Sequence, residues 1–261
     1  MNFNLKNIPQ RTSQPRVNGI TMITDKGLGL QETKNFLSIA HPYVDLAKLA
    51  FGTAFVTPSL EEKIKVYQSY NIPVYFGGLL FEAFIYRNQF DDYINTIHAY
   101  GINYVEVSDG SIDISHEEKC GYIKLLSRSC TVLSEVGSKD KDRVKITPPY
   151  QWIKLMQDEL DAGASHVIAE AREAGTVGLY RDSGEVREGL VYEILTKIPA
   201  EKIIWEAPQK DQQLFFLKLL GCNANLGNIA TEEVIALEAM RIGLRGDSFH
   251  FYLPSEEDEV Y

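Results

Sequence analysis

Residues 102–136 read INYVEVSDGSIDISHEEKCGYIKLLSRSCTVLSEV and contain one complete strand–helix–strand unit. The runs INYVEVS (102–108) and CTVLSEV (130–136) have the composition of short β-strands. The segment between them, EEKCGYIKLLSRS (117–129), has the apolar periodicity of a helix. A strand, a helix and a second strand in this order predict a parallel βαβ unit.

The same unit recurs along the chain, whose length of 261 residues is in the range of a single α/β barrel. Eight strand-like runs alternate with helical segments such as 60–70 and 149–164. The six further runs are GITMIT (19–24), VDLAKLAF (44–51), IPVYFGG (72–78), SHVIAEA (165–171), KIIWEA (202–207) and NANLGNI (223–229). Eight βα units predict a (β/α)₈ TIM barrel, with an open doubly wound sheet as the alternative. No G-x-G-x-x-G follows the first run, which disfavours a dinucleotide-binding open sheet.

The two ends of the chain differ from the barrel in composition. Residues 1–18 are polar and contain two prolines, so they predict an N-terminal arm. The barrel is expected over 19–254, and the acidic residues in 255–261 predict a solvated C-terminal tail.

Charge and composition exclude several classes of partner. The net charge of −10 argues against nonspecific binding to nucleic acid or to an anionic membrane. No segment resembles a signal peptide, and no run approaches the roughly 20 apolar residues of a membrane span. Three scattered cysteines without a CxxC pair favour a reducing, cytoplasmic setting.

Charged and polar residues follow the ends of nearly all the predicted strands. In a barrel, the carboxyl ends of the strands carry the active site. Side chains alternate along a strand, so Glu106 and Ser108 share a face, as do Glu170 and Arg172. Any one of these charges could be part of a structural ion pair, but that explanation is harder to sustain for the whole set. The set comprises Asp25, Lys26, Lys48, Glu106, Ser108, Asp109, Glu135, Lys139, Glu170, Arg172, Glu173, Glu206, Gln209, Lys210, Asn225 and Asn228.

Carboxylates that converge at one mouth predict a site for a hard cation such as Mg²⁺, which prefers oxygen ligands. Lysine and arginine among them indicate an anionic ligand, either a phosphate or a carboxylate. Arg245, in the last predicted loop region, fits the place where many barrels bind phosphate.

Eight motifs in order along residues 20–250 resemble the phosphosulfolactate synthase family, the coenzyme M biosynthesis enzyme of methanogens and its bacterial relatives. They are DKG (25–27), KLAFGT (48–53), GGLLFE (77–82), VEVSDGS (105–111), SEVGSKD (134–140), DAGASHVIAEAREAG (161–175), EAPQKDQQ (206–213) and LRGDSF (244–249). The resemblance implies a (β/α)₈ barrel lyase that adds sulfite to phosphoenolpyruvate with Mg²⁺, giving (2R)-phospho-3-sulfolactate. It also implies that the general acid is Lys139, which matches the family's lysine in position.

With this resemblance, the strand-end residues receive expected roles. The catalytic residues are expected to be Lys139, Glu135, Lys48 and Arg172. The substrate-binding residues are expected to be Lys26, Lys210, Arg245, Asn225 and Ser108. The metal ligands are expected to be Glu106, Glu135 and Glu170, and the protein is expected to be a homo-oligomer with small anionic substrates.

The sequence also departs from the family pattern. Ala50 and Phe51 stand where the second-strand motif has glycine and tryptophan, Leu79 replaces a threonine, and NLGN (225–228) replaces N-L-A-N. Two alternatives therefore stay open: a barrel lyase or aldolase that acts on another phosphorylated enol acid, and a non-catalytic, stress-associated member of the family. The pathway, whether coenzyme M, sulfolactate or another, is left open as well.

Overall fold

The computed structural model describes residues 3–137, 147–171 and 174–253, and its centre is a sheet of eight parallel strands. The strands are β1 (Thr21–Asp25), β2 (Leu46–Leu49), β3 (Val74–Phe76), β4 (Tyr104–Val107), β5 (Thr131–Val136), β6 (His166–Ala169), β7 (Ile203–Glu206) and β8 (Leu226–Ala230). Their order is β3-β2-β1-β8-β7-β6-β5-β4, and β1 pairs with β8. The sheet thus curls into a nearly closed (β/α)₈ barrel, which confirms the prediction over the open sheet.

Nine α-helices are found within the described ranges and surround the strands. They are α1 (Leu30–Ala40), α2 (Leu60–Ser69), α3 (Gly78–Tyr86), α4 (Phe90–Ala99), α5 (His116–Leu126), α6 (Pro149–Asp161), α7 (Glu188–Leu195), α8 (Lys210–Leu220) and α9 (Val234–Arg241). None of these helices has the length and apolar character that crossing a membrane requires.

The strands are buried on both faces, as expected when helices cover the outside of a barrel and side chains fill its interior. Met22 and Tyr75 meet inside, where the Tyr75 hydroxyl lies 2.7 Å from Met22 Sδ. Ile204 also approaches Met22, since a Cβ built at Gly227 would meet both side chains. Glu206 lies two residues after Ile204 and so shares this inward face. The interior is therefore apolar through its middle and acidic at its carboxyl end.

Within the described residues, the strands β3 and β4 are the two edges of the sheet and are not joined by a backbone ladder as the other neighbouring strands are. The gap is bridged instead by a side chain, because Gly78 N donates a 2.6 Å hydrogen bond to Glu106 Oε1. This link lies directly at the carboxyl end of the barrel.

Glycine turns at the ends of two helices set up the following strands. Gly101 (φ +63°) follows α4 and precedes β4, and Gly163 (φ +117°) follows α6 and precedes β6. Positive φ is accessible to glycine without a steric penalty, which explains the residue type at both helix ends.

The N-terminal arm crosses the amino-terminal end of the barrel. Arg11 forms an ion pair with Glu238 at 3.0 Å, and Arg16 forms one with Asp45 at 3.0 Å. Gln14 Nε2 donates to the carbonyl of Val44 at 2.6 Å. These contacts hold the described part of the arm at the end opposite to Glu106 and Glu206. The acidic tail lies outside the described residues.

Candidate active site

A cavity of about 460 Å³ opens at the carboxyl ends of the strands. Its described lining comes from most of the strands and the loops that follow them. The lining residues are Thr24, Lys48, Ala50, Phe51, Gly77, Gly78, Leu79, Glu106, Gly110, Ser111, Glu135, Glu170, Ala174, Glu206 and Asn228. Four carboxylates and one ammonium group therefore face a common space.

Lys48, on β2, lies at the centre of the charged groups. Its Nζ is 2.9 Å from Glu106 Oε2, 3.4 Å from Glu206 Oε1 and 3.6 Å from Glu135 Oε2. Burial alone would lower the pKa of Lys48, but the carboxylates of Glu106, Glu206 and Glu135 outweigh burial and raise this pKa well above its ordinary value. Lys48 is thus a fixed positive charge and a very weak acid.

Glu106, at the end of β4, receives two contacts of different kinds. Lys48 pairs with its Oε2, and the amide of Gly78 donates to its Oε1. Burial raises the pKa of Glu106, while Lys48 and the Gly78 amide oppose this rise. The side chain therefore connects β4 to β2 and to the first residue of α3.

Three further strands contribute a group of carboxylates. Glu135, Glu170 and Glu206 each offer one oxygen, and these oxygens lie within 4.8 Å of one another. Burial, together with the neighbouring charges of Glu135 and Glu106, raises the pKa of Glu206 to about 7. Such mutual repulsion in a buried site is relieved by a bound cation.

Glu82, on α3, fixes the loop after β4. Its carboxylate accepts hydrogen bonds from Ser108 Oγ, from Gly110 N at 3.1 Å and from Ser111 N at 2.7 Å. Because Gly110 and Ser111 line the cavity, Glu82 shapes one wall without lining it itself.

Lys119, on α5, supports the neighbouring strand ends from outside the barrel. Its Nζ lies 2.6 Å from the carbonyl oxygen of Glu135, 2.9 Å from Glu159 Oε1 and 3.1 Å from Asp109 Oδ1. Burial raises the pKa of Glu159, and the charge of Lys119 opposes that shift. One buried ammonium thus ties the ends of β4 and β5 to α6.

The family assignment follows from comparison with known proteins. The sequence model of the family described as "(2R)-phospho-3-sulfolactate synthase (ComA)" matches residues 9–247. The chain belongs to the phosphosulfolactate synthase family. It is therefore an enzyme of the lyase type that forms carbon–sulfur bonds.

Two relatives show how far the similarity extends. The phosphosulfolactate synthase of Methanothermobacter thermautotrophicus is 40% identical over 244 residues, covering 92% of this chain and 95% of the relative. The enzyme of the same name from Bacillus subtilis is 38% identical over 243 residues, covering 93% and 96%. The solved 3-keto-L-gulonate-6-phosphate decarboxylase of Vibrio cholerae O1 biovar El Tor, 10% identical, superposes with a TM-score of 0.53 over 91% of this chain and all of that one. That likeness shows the barrel fold alone.

Some of the residues predicted to form the site of this phosphosulfolactate synthase family member line the cavity. Lys48, Glu106, Glu135 and Glu170 all line it. Lys139 and Arg172 lie outside the described residues.

Four predicted substrate-binding residues are not among the described residues that line the cavity. Lys26 is exposed after β1. Lys210 begins α8 and pairs with Asp247 at 2.8 Å. Ser108 is buried and donates to Glu82. Arg245 is half-buried and precedes a short 3₁₀ turn.

The expected position of Asn225 requires a correction. β8 begins at Leu226, so Asn225 lies at the amino-terminal end of the strand rather than at its carboxyl end. There it accepts a hydrogen bond from Ile20 N and donates to the carbonyl of Glu201. The run NANLGNI does not reveal where the strand starts, because asparagines stand in both its first half and its second half. Asn228 lines the cavity instead.

Several residues that shape the site were outside the predicted set. Two of them, Lys63 and Tyr67 on α2, contact the buried carboxylate of Asp25 at 2.7 Å and 2.8 Å, and only Asp25 was in the predicted set. Glu82 and Lys119 also come from helices. A charged residue on the buried face of an amphipathic helix was the available signal, but helical periodicity does not identify the partner.

Proposed function

We propose that this enzyme adds sulfite to phosphoenolpyruvate in a Mg²⁺-dependent reaction that gives (2R)-phospho-3-sulfolactate. The proposal is supported mainly by the cluster of three carboxylates from Glu135, Glu170 and Glu206, which lies beside the buried ammonium of Lys48. The cluster is at the carboxyl end of a barrel that belongs to this family. A cation site next to a fixed positive charge suits a reaction between two anions.

The donor set fits a hard divalent cation. The three carboxylate oxygens lie within 4.8 Å of one another, and oxygen ligands are those that Mg²⁺ prefers. When bound, the ion would supply positive charge where the substrate's carboxylate gains electron density. Glu206 offers an oxygen within 4.8 Å of oxygens of Glu135 and Glu170, whereas Glu106 is not a member of this group. We therefore place Glu206 in the proposed ligand set.

The bond changes follow from the chemistry of the two substrates. The sulfur lone pair of sulfite forms a bond to C3 of phosphoenolpyruvate, and the C2–C3 π pair moves into the carboxylate. A proton then adds to C2 from one face, which sets the configuration. The ammonium of Lys48 would stabilise the developing negative charge, since its raised pKa keeps it protonated.

The proton donor is proposed from the family resemblance alone. Lys139 matches the family's general acid, and Lys48 is poorly suited to that step because its carboxylate neighbours hold its proton. Arg172, Lys26, Lys210 and Arg245 stay predicted contacts of the two anionic substrates. A homo-oligomeric state and a cytoplasmic location also stay predictions.

The direct test mixes the purified enzyme with phosphoenolpyruvate, sulfite and Mg²⁺ and follows phosphosulfolactate by mass spectrometry. Product that requires sulfite, and that disappears when a chelator is added, supports the proposal. Absence of product from about pH 6 to pH 9 would overturn it. Consumption of phosphoenolpyruvate without sulfite would favour a lyase or aldolase of another kind.

The proposed role of Lys139 is tested separately by Lys139→Ala. Turnover should be lost while the melting temperature stays within about 3 °C of the wild type, because a proton donor contributes to catalysis rather than to packing. A large loss of stability with normal turnover would show that Lys139 has a structural role.

A further inference from the structure

Asn228, near the end of β8, has an unusual backbone conformation for a residue inside a strand. Its φ is +57°, a region that non-glycine residues seldom occupy and that asparagine tolerates better than most. The ladder between β1 and β8 shifts register here: Thr21 pairs with Leu226, but Ile23 pairs with Ile229. The extra residue on β8 forms a bulge, and bulges near active sites redirect a side chain.

The side chain of Asn228 is oriented by the neighbouring strand. Thr24 Oγ1, at the end of β1, donates a 2.9 Å hydrogen bond to Asn228 Oδ1, and both side chains are buried. Because Oδ1 accepts from Thr24, the other end of the amide, Nδ2, is a donor group. Both residues line the cavity that holds Lys48 and the carboxylates.

A neutral donor has a particular value in this cavity. The described lining carries Glu106, Glu135, Glu170 and Glu206 against Lys48. An added lysine or arginine would form an ion pair with one of these carboxylates, whereas the two N–H bonds of a neutral amide add donors for an anion without adding a charge. Local strain at a functional residue is consistent with this use.

We propose that Asn228 is a substrate-binding residue whose Nδ2 donates to an anionic oxygen of a substrate, with Thr24 as the positioning residue that orients the amide. This inference rests on the proposed function for the identity of the anions, phosphoenolpyruvate and sulfite.

Two variants separate the amide from the backbone. Asn228→Gly removes the side chain and accepts the positive φ without strain. Asn228→Asp keeps the shape and the acceptor for Thr24 but replaces the donor with a negative charge. Asn88→Gly is the matched control, because Asn88 has the same φ of +57° in an exposed turn after α3.

The measurements are calorimetric titrations with phosphoenolpyruvate and with sulfite, each with Mg²⁺, and steady-state kinetics. For Asn228→Gly, the Kd or KM of at least one anion should rise about 10- to 100-fold, the range for a hydrogen bond to a charged group. Asn228→Asp should weaken binding further, and Thr24→Val should weaken it less than either. The value of kcat should change less than KM, and Asn88→Gly should match the wild type.

Unchanged Kd and KM in folded Asn228→Gly would overturn the inference, as would a loss confined to kcat. A wild type that binds phosphoenolpyruvate more tightly than Asn228→Gly, yet gives no sulfite-dependent product, would support the inference and reject the proposed function. A wild type that binds neither anion would overturn both.

Discussion

The amide of Gly78 and the carboxylate of Glu106 form a 2.6 Å hydrogen bond across the gap between β3 and β4. The same carboxylate group holds Lys48 through its other oxygen, at 2.9 Å. Closure of the barrel and placement of the central ammonium therefore depend on one side chain. The close approach requires glycine, because a Cβ at residue 78 would overlap Ser108 Oγ and lie 2.8 Å from Glu106 Oε1.

Gly78→Ala should lower turnover at least about 100-fold and destabilise the fold by about 1–3 kcal/mol, the usual cost of overpacking. The added methyl group would overlap both Ser108 and Glu106, and a displaced Glu106 would move Lys48 with it. Activity assays and urea denaturation measure the two effects. The control is Gly121→Ala in α5, where a Cβ meets nothing within 4 Å. That change should leave turnover intact and stabilise the protein by up to about 1 kcal/mol. Equal behaviour of the two variants would refute the steric argument.

Lys48→Met should reduce turnover by about 100- to 1000-fold, the range found when a preorganised electrostatic contact is removed. The reason is that Glu106 and Glu206 would lose the cation that lies 2.9 Å and 3.4 Å from them. Steady-state kinetics at saturating substrate give the comparison. Lys65→Met, which removes an exposed lysine that pairs with Glu61, should have no effect on turnover. A Lys48→Met enzyme that keeps more than about a tenth of wild-type turnover would exclude the proposed electrostatic role.

Lys119→Met should destabilise the fold by about 3–5 kcal/mol, because it leaves the buried carboxylate of Glu159 without its cation. The double variant Lys119→Met with Glu159→Gln removes both charges and should recover most of that loss. Guanidinium denaturation of both variants gives the two values. If the double variant is as unstable as the single one, packing rather than charge accounts for the effect.

The fold could be predicted from the sequence because strand-like and helical segments alternate eight times, and each observed strand overlaps its predicted run. The prediction failed at the start of β8, where Asn225 serves the amino-terminal end of the strand. The pattern of apolar residues predicts that a strand exists more reliably than it predicts where the strand begins and ends. Because β8 begins three residues later than its predicted run, Asn225 lies at the amino-terminal end of the barrel and not at the carboxyl end.

The candidate site was predictable where it depends on strands and less so where it depends on loops and helices. Glu106 and Glu135 reach the cavity because parallel strands end at one edge. Lys210 is the first residue of α8. Its distance from the cavity depends on the path of the preceding loop, which the apolar periodicity of the sequence does not specify. Lys119 and Glu159 are 40 residues apart in the sequence, and they meet because α5 packs against α6.

Protonation of His166 should make the stability of the fold depend on pH. Burial, with a smaller effect from Lys202, lowers the pKa of His166 from 6.5 to about 4, so the folded protein holds the neutral imidazole. As the pH falls, His166 binds a proton in the unfolded chain before it does so in the folded protein. The neutral His166 therefore contributes its full stabilisation above pH 6.5, and this stabilisation is lost as the pH falls toward 4. Between these values His166 should remove about 1.4 kcal/mol of unfolding free energy per pH unit.

Urea denaturation at several pH values, with His166→Asn beside the wild type, measures this contribution as the difference between the two slopes, since the other titrating groups are common to both. The variant should lose less stability than the wild type on acidification. An NMR titration of the imidazole protons should place the pKa of His166 near 4. Equal slopes, or an imidazole that titrates at its ordinary value, would contradict the prediction, because either result requires a His166 that is hydrated in the folded state.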